Sequence, residues 1–325
     1  MRKKFSVLFV CFTLIVCLCG CGDNNVPTTD NDKLSIVTTI FPEYDWVMNI
    51  LGDKADNVDV SMLLDSGVDL HSYQPSADDI VTISEADVFI YVGGESDEWV
   101  EDALKEAVNE DMVVINMMDV IGDDAKEEEI VEGMQAEEEE SEDEEGPEYD
   151  EHLWLSLKIS SKLCQAIGDA IAQADPDNED IYAANTTAYI DKLNELDSEF
   201  RNAVDQSKIK TILFGDRFPF RYMADDYGLD YYAAFVGCSA ESEASFETIA
   251  FLAGKVDELN LKTVLTLEGT DHKIAQTIVN TSKKQSAVIE SMNSMQSTTA
   301  EDVKNGATYL FIMKKNLEVL KSALN

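Results

Sequence analysis

From residue 34 onward, short runs of β-branched and aliphatic residues alternate with longer stretches whose apolar residues fall at helical spacing. "LSIVTTI" (34–40), "VDVSMLL" (58–64), "DVFIYV" (87–92) and "MVVINM" (112–117) read as strands. Between them, "EYDWVMNILG" (43–52) has helical spacing and a terminal glycine, and "DEWVEDALKEAV" (97–108) is a second helix. Ser76 is placed to cap "ADDIVTISEA", with Asp79 in its first turn. Leu153, Leu155, Ile159, Leu163, Ile167 and Ile171 form one helical stripe. Asp175-Pro176 then opens another helix, whose predicted face is Ile181, Ala184, Ala188, Leu193, Leu196, Phe200 and Val204. That helix is unusually long for a globular domain and can brace whatever lies on either side. Alternation restarts at Lys208: "TILFG", "DYYAAF", "TVLTLEG" and "SAVIES" as strands, with helices near 217–226, 245–259, 271–284 and 300–323. The pattern predicts an α/β protein of two lobes, each a parallel sheet flanked by helices, joined by one long rigid helix. The boundaries fall at 34–174, 175–207 and 208–325.

The chain begins differently. Arg2, Lys3 and Lys4 precede an apolar run, Phe5 to Leu18, followed by "LCGC" (18–21) and a polar, turn-rich stretch to residue 33. Basic start, apolar core, small residues and a cysteine, in that order, resemble a bacterial lipoprotein signal. Residues 1–20 are then the signal and 21–33 a tether, with Cys21 as the lipidated residue. The expected location is the extracytoplasmic face of the cell membrane, held by a diacylglycerol and a further acyl chain. An ordinary secretory signal is the alternative. Beyond Cys21, only Cys164 and Cys238 remain in the chain. Cys164 reads as a buried thiol in a helix, and a disulfide between the two is possible.

Charge narrows the partners. With 24 basic against 65 acidic side chains, the net charge of −41 makes nucleic-acid binding untenable. Residues 123–151 hold 17 acids and a single base, Lys126. Such a run cannot bury enough apolar surface to fold, so it is expected as a mobile acidic loop inside the first lobe. It is either a solubilising insertion or a weak collector of cations. No glycine-rich phosphate motif follows any strand, so neither lobe announces a nucleotide.

In open α/β sheets, ligands bind beyond the carboxyl ends of the strands. Those ends carry His71, Asp216, Glu268 and Glu290, and His152 starts the helix after the acidic run. Two imidazoles with carboxylate oxygens make a first shell for a divalent transition metal. Each residue also has an ordinary alternative. A histidine near a strand end often only hydrogen-bonds its loop. Asp216 can cap the helix that follows it, and His272, at the helix start in "EGTDHKIAQ", reads as surface or capping.

"GVDLHSYQPSADDIVTISEADVFIYVGGESDEWV" and "EHLWLSLKISSKLCQAI" resemble the zinc- and manganese-binding lipoproteins that feed ABC importers. "FRYMADDYGL" and "YLFIMKKNLEVLKSAL" extend the resemblance over nearly all of the chain after the tether. It implies two α/β lobes on one rigid helix, a metal in the interlobe cleft, and His71 and His152 as ligands. A variable loop just before the second histidine is also implied, and the acidic run lies there. The third ligand the resemblance implies, His or Glu, falls on Arg217, whose guanidinium cannot ligate a metal. Asp216 is the substitute expected here, with Glu290 as fourth ligand and Glu241 and Glu268 in reserve.

Zinc is favoured, because "HLWLS" looks more like the zinc branch. Two histidines with two carboxylates leave manganese as the alternative. The implied activity is capture of one ion by a monomer and delivery to a permease in the membrane, not catalysis. A metal-dependent hydrolase would need an open, water-bearing site with a positioned base, and no G-x-S-x-G nucleophile motif is present. An adhesin on the same fold is a third class.

Overall fold

The computed structural model describes residues 33–135, 148–239 and 243–325. Residues 1–20, Cys21, the centre of the acidic run and Glu241 lie outside them. In the first lobe, β1 (Ser35–Thr38), β2 (Asp59–Met62), β3 (Val88–Tyr91) and β4 (Val113–Asn116) alternate with α1 (Phe41–Leu51), α2 (Ala77–Ser84), α3 (Val100–Lys105) and α4 (Met117–Ile121). α5 (Leu157–Ala174) closes that lobe and α6 (Glu179–Gln206) leads out of it. The second lobe contains β5 (Thr211–Phe218), α7 (Arg221–Tyr227), β6 (Asp230–Val236), α8 (Phe246–Glu258), β7 (Thr263–Leu267), α9 (Lys273–Thr281), β8 (Val288–Met292), α10 (Ala300–Lys304) and α11 (Tyr309–Ala323).

Both sheets are parallel and have the same plan, β2-β1-β3-β4 and β6-β5-β7-β8. In each, strand order reverses at the strand that enters first, which opens a crevice at the carboxyl ends. Because strand side chains alternate, each sheet feeds two cores. Ile36, Val88 and Ile90 point to α1, α5 and α6, whereas Val37 and Phe89 pack on Ile83 and Val100 of the opposite helices. In the second sheet, Ile212, Phe214 and Leu265 join that same central core, and Leu213, Ala234 and Val264 pack under α8 and α9. The central core therefore runs unbroken from one lobe through α6 and α11 into the other.

α6 has 28 residues, and its buried face is Tyr182, Thr186, Tyr189, Leu193, Leu196, Phe200 and Val204. The second half agrees with the predicted stripe. The first half does not: Ile181 is 40% exposed, and tyrosines take the inside. Their hydroxyls have partners, Tyr182 donating to Asp175 Oδ2 at 2.6 Å and Tyr189 to Asp45 Oδ2 at 3.1 Å. A phenol so paired buries its ring without leaving a polar atom stranded. Two other boundaries move. β5 is eight residues long and takes Asp216 and Arg217 into the strand. The predicted final helix is two helices, broken at Gly306 (φ +95°) and restarted by Thr308, whose hydroxyl accepts from the Phe311 N–H at 3.2 Å.

The described ends of the acidic run are ordered, contrary to a loop mobile throughout. Glu127 and Tyr149 form an antiparallel bridge, with Glu128 N–H donating to Glu148 O at 2.8 Å and Asp150 N–H to Lys126 O at 2.8 Å. This strap crosses to the second lobe. Lys126 N–H donates to the Tyr222 hydroxyl at 3.1 Å, and Gln135 N–H donates to Ala234 O on edge strand β6 at 2.9 Å. Arg221–Glu129 (3.0 Å) and Lys126–Asp225 (2.8 Å) ion pairs flank it. Cys164 is fully buried, and both Cys164 and Cys238 are free thiols. Among the described residues, no helix is long and apolar enough to cross a membrane.

Candidate metal centre

His71 and His152 come from different loops of the first lobe, yet the same three-residue device presents both. Asp69 caps the short helical turn Leu70–Ser72, its Oδ1 accepting the His71 N–H at 3.1 Å. Asp150 Oδ1 accepts the His152 N–H at 2.9 Å. "DLH" and "DEH" are thus two Asx turns, each ending on an imidazole. Beyond His152, Trp154 is fully buried and donates its indole N–H to Ser294 O at 2.7 Å, tying this loop to the second lobe. Ser156 then caps α5, accepting from the Ile159 N–H at 3.0 Å.

The outward ring nitrogens are held. His152 Nδ1 is 2.9 Å from Asp150 Oδ1, an acceptor only, so that nitrogen carries the proton. His71 Nδ1 is 2.8 Å from Ser96 Oγ and 3.4 Å from Glu151 Oε2. Both arrangements turn Nε2 inward, and the two Nε2 atoms are 3.3 Å apart. Two ligands at a zinc–nitrogen distance of about 2.0–2.1 Å and a tetrahedral angle stand about 3.4 Å apart. The observed edge fits a single ion. The side chain of His71 is 12% exposed and that of His152 is not exposed at all, so one wall is dry and the other faces the entrance.

That entrance is a cavity of about 230 Å³ lined by His71, Cys238, Glu95, Glu128, Glu148 and Glu151. Burial raises Glu151, but hydrogen bonds from His71 and Ser96 outweigh it and hold the carboxyl below its ordinary value. Its Oε1 accepts the Ser96 N–H at 2.9 Å, and its buried Oε2 faces His71 Nδ1 at 3.4 Å. Burial raises Glu128, and the nearby Asp150 charge adds to that, so this carboxyl lies above its ordinary value. The site gathers carboxylates around two imidazoles, a setting that attracts a divalent cation.

Other expected ligands lie elsewhere. Asp216 Oδ1 accepts the Arg217 N–H at 3.0 Å, and Oδ2 accepts the Leu267 N–H of β7 at 3.2 Å. Glu290 lies in β8 opposite Leu265, its Oε2 buried without a partner. Glu268 accepts from Ser294, hydroxyl to Oε1 at 2.7 Å and N–H to Oε2 at 2.8 Å, which braces the turn after β8. His272 stands at the N-cap of α9 in a left-handed conformation (φ 57°), with Nδ1 3.2 Å from Thr270 Oγ1. Among the described residues, the one group of three or more donors placed to share an ion is His71, His152 and Cys238, with ligand atoms within 4.8 Å of one another. In the sequence Cys238 suggests only a pairing with Cys164, and no spacing relates it to either histidine. Asp69, Ser96, Asp150 and Glu151 are likewise absent from the expected site. The repeated Asp-x-His was the available signal for the two aspartates.

A family model described as zinc-uptake complex component A, periplasmic (ZnuA), matches residues 36–323. The chain belongs to the ZnuA family. It is 31% identical over 330 residues to the high-affinity zinc uptake system protein ZnuA of Bacillus subtilis (strain 168), covering 100% of this chain and 99% of that one. Similarity to the zinc-binding protein AdcA of Streptococcus pyogenes serotype M3 is 31% over 295 residues, 89% of this chain but 56% of the longer relative. Among solved structures, the metal-dependent lipoprotein YcdH of Bacillus subtilis superposes with a TM-score of 0.73 at 30% identity, covering 90% of this chain and 99% of that one. The Zn(II)-bound ZnuA-like domain of AdcA from Streptococcus pneumoniae gives 0.68 at 29%, covering 90% and 99%. This ZnuA-family chain thus has the two-lobe architecture of zinc-uptake binding proteins.

Proposed function

We propose that this protein captures one zinc ion outside the cytoplasm between His71 Nε2 and His152 Nε2 and delivers it to an ABC permease in the membrane. The observation that carries the reading is the 3.3 Å separation of two inward Nε2 atoms whose rings are held at the opposite nitrogen by Asp150, Ser96 and Glu151. An imidazole whose second nitrogen is fixed by an acceptor is a better and more rigid ligand. The zinc-uptake and zinc-binding names of the relatives favour zinc over manganese, and they describe uptake, not catalysis. Cys21 as a lipid anchor keeps the protein beside its permease, and the tether to residue 33 gives it reach.

The test is to strip the purified protein with chelator, offer zinc and manganese in competition, and count bound metal. One zinc per chain is expected. His71→Ala and His152→Ala should each lose it, and Asp216→Ala should keep it. Full zinc stoichiometry and affinity in both histidine variants would overturn the reading.

A further inference from the structure

We infer that Cys238 is the second lobe's ligand: its sulfur completes a two-imidazole, one-thiolate site with His71 and His152 and sets the selectivity for zinc over manganese. This rests on the metal-capture reading above and adds the identity of the third donor. The loop after β6 is built to bring Cys238 there. Its predecessor, Gly237, lies against the His152 ring, so closely that a Cβ at 237 would stand 3.1 Å from Cε1 and from Nδ1. The Cys238 N–H donates to Glu128 Oε1 of the strap at 3.0 Å. On its other side, Arg217 spans two loops: Nη1 donates to Ser239 O at 3.3 Å and Nη2 to Asp69 Oδ2 at 2.8 Å. Asp69 is the residue that caps the turn of His71. One guanidinium therefore joins the loop bearing the thiol to the loop bearing an imidazole.

The donor set agrees with this. The three ligand atoms lie within 4.8 Å of one another. A tetrahedral zinc site needs about 3.6 Å between nitrogen and sulfur, from bond lengths of about 2.0–2.1 and 2.3 Å. The sulfur has at most about an ångström to travel. The carboxylates of Asp216 and Glu268 are already occupied by backbone and side-chain donors. Glu151, whose Oε2 faces His71 Nδ1 at 3.4 Å, lines the cavity that Cys238 also lines. Burial and the surrounding carboxylates keep the thiol far above its ordinary value. A divalent ion reverses that balance, because a coordinated thiol is deprotonated. On ionisation the proton leaves to solvent and the sulfur lone pair enters the metal shell. Thiolate is a soft ligand that suits zinc and not manganese.

X-ray absorption at the zinc edge of the zinc-loaded protein tests this, alongside Cys238→Ser and Cys164→Ala. One sulfur neighbour at about 2.3 Å is expected beside nitrogen or oxygen at about 2.0–2.1 Å. That sulfur should vanish in Cys238→Ser and persist in Cys164→Ala. Zinc affinity should fall in Cys238→Ser by more than about 100-fold, the upper range for residues that merely orient a ligand, and the zinc-to-manganese preference should shrink with it. The cobalt-substituted protein should lose its near-ultraviolet thiolate-to-metal absorption. Zinc bound one per chain with only nitrogen and oxygen neighbours would overturn the assignment of Cys238 while leaving metal capture intact. A protein that binds no zinc would overturn both. Should Cys238→Ser fail to fold by circular dichroism, the sulfur count of the unaltered protein and of Cys164→Ala decides alone.

Discussion

A proton on the wrong nitrogen would turn either imidazole away from a cation, so the residues behind the rings matter as much as the rings. Asp150 fixes one tautomer through a single 2.9 Å bond. Asp150→Ala should lower zinc affinity about 10–100-fold with stoichiometry retained, read by competition against a chromophoric chelator. Gly237→Ala sets a methyl 3.1 Å from the His152 ring and from Phe218 O. Neither side can retreat far in a packed interior, so the ring should shift and affinity should fall about tenfold. An unchanged dissociation constant would show that the loop yields instead. At this scale the sequence was half legible. His71 and His152 stand in recognisable local frames. The expected acids stand near strand ends, and strand ends are where a sequence pattern is least definite. β5 runs three residues past its predicted end, so Asp216 spends its oxygens on backbone N–H groups of β5 and β7. Cys238 had no local mark at all, because its partners are distant in sequence and meet it only through tertiary folding.

Secondary structure was more legible, since apolar period and capping chemistry are local. Ser76 caps α2 with a reciprocal bond from its own N–H to Asp79 Oδ2 at 2.7 Å, as the sequence suggested. α6 was misread where burial is carried by tyrosine and threonine, residues that an aliphatic count passes over. Its contact with α5 is close at Gly168, where a Cβ would meet Thr186 Oγ1 at 2.3 Å. Alanine in a helix gains about 1 kcal/mol over glycine, but overpacking costs about 1–3 kcal/mol. Gly168→Ala should therefore destabilise by up to about 2 kcal/mol in urea denaturation. Adding Thr186→Ala removes the obstructing atoms, and the double variant should recover most of that loss. Additivity of the two single effects would contradict the packing argument.

Over the whole molecule, acid and metal act in opposite directions. Burial pushes Asp97 up to about 7, helped by the nearby charge of Glu151, and burial pushes Asp45 up to about 6. A carboxyl raised on folding contributes stability below its unfolded value of 3.8 that is lost as pH climbs through its folded value. The metal-free protein should thus lose a few kcal/mol between about pH 4 and pH 7. Asp97→Asn should flatten that slope, as followed by denaturation midpoints. Zinc affinity should run the other way, rising with pH as the imidazoles lose protons. A net charge of −41 adds a rate effect, and zinc association should slow as ionic strength rises in stopped-flow measurements.

The strap imposes an order on events in time. Lys126 is separated from its partner Tyr222 by 96 positions in the chain, so during synthesis it emerges well before the second lobe that it ties to. Until the C-terminal half follows, the segment ending at Gln135 has no edge strand to lie against, and β6, when it arrives, finds its outer rim already provided for. A nascent chain halted after α6 would carry this segment joined only to residues 148–150, with every second-lobe contact of the strap still to be made. Halves produced separately should regain zinc binding only when mixed.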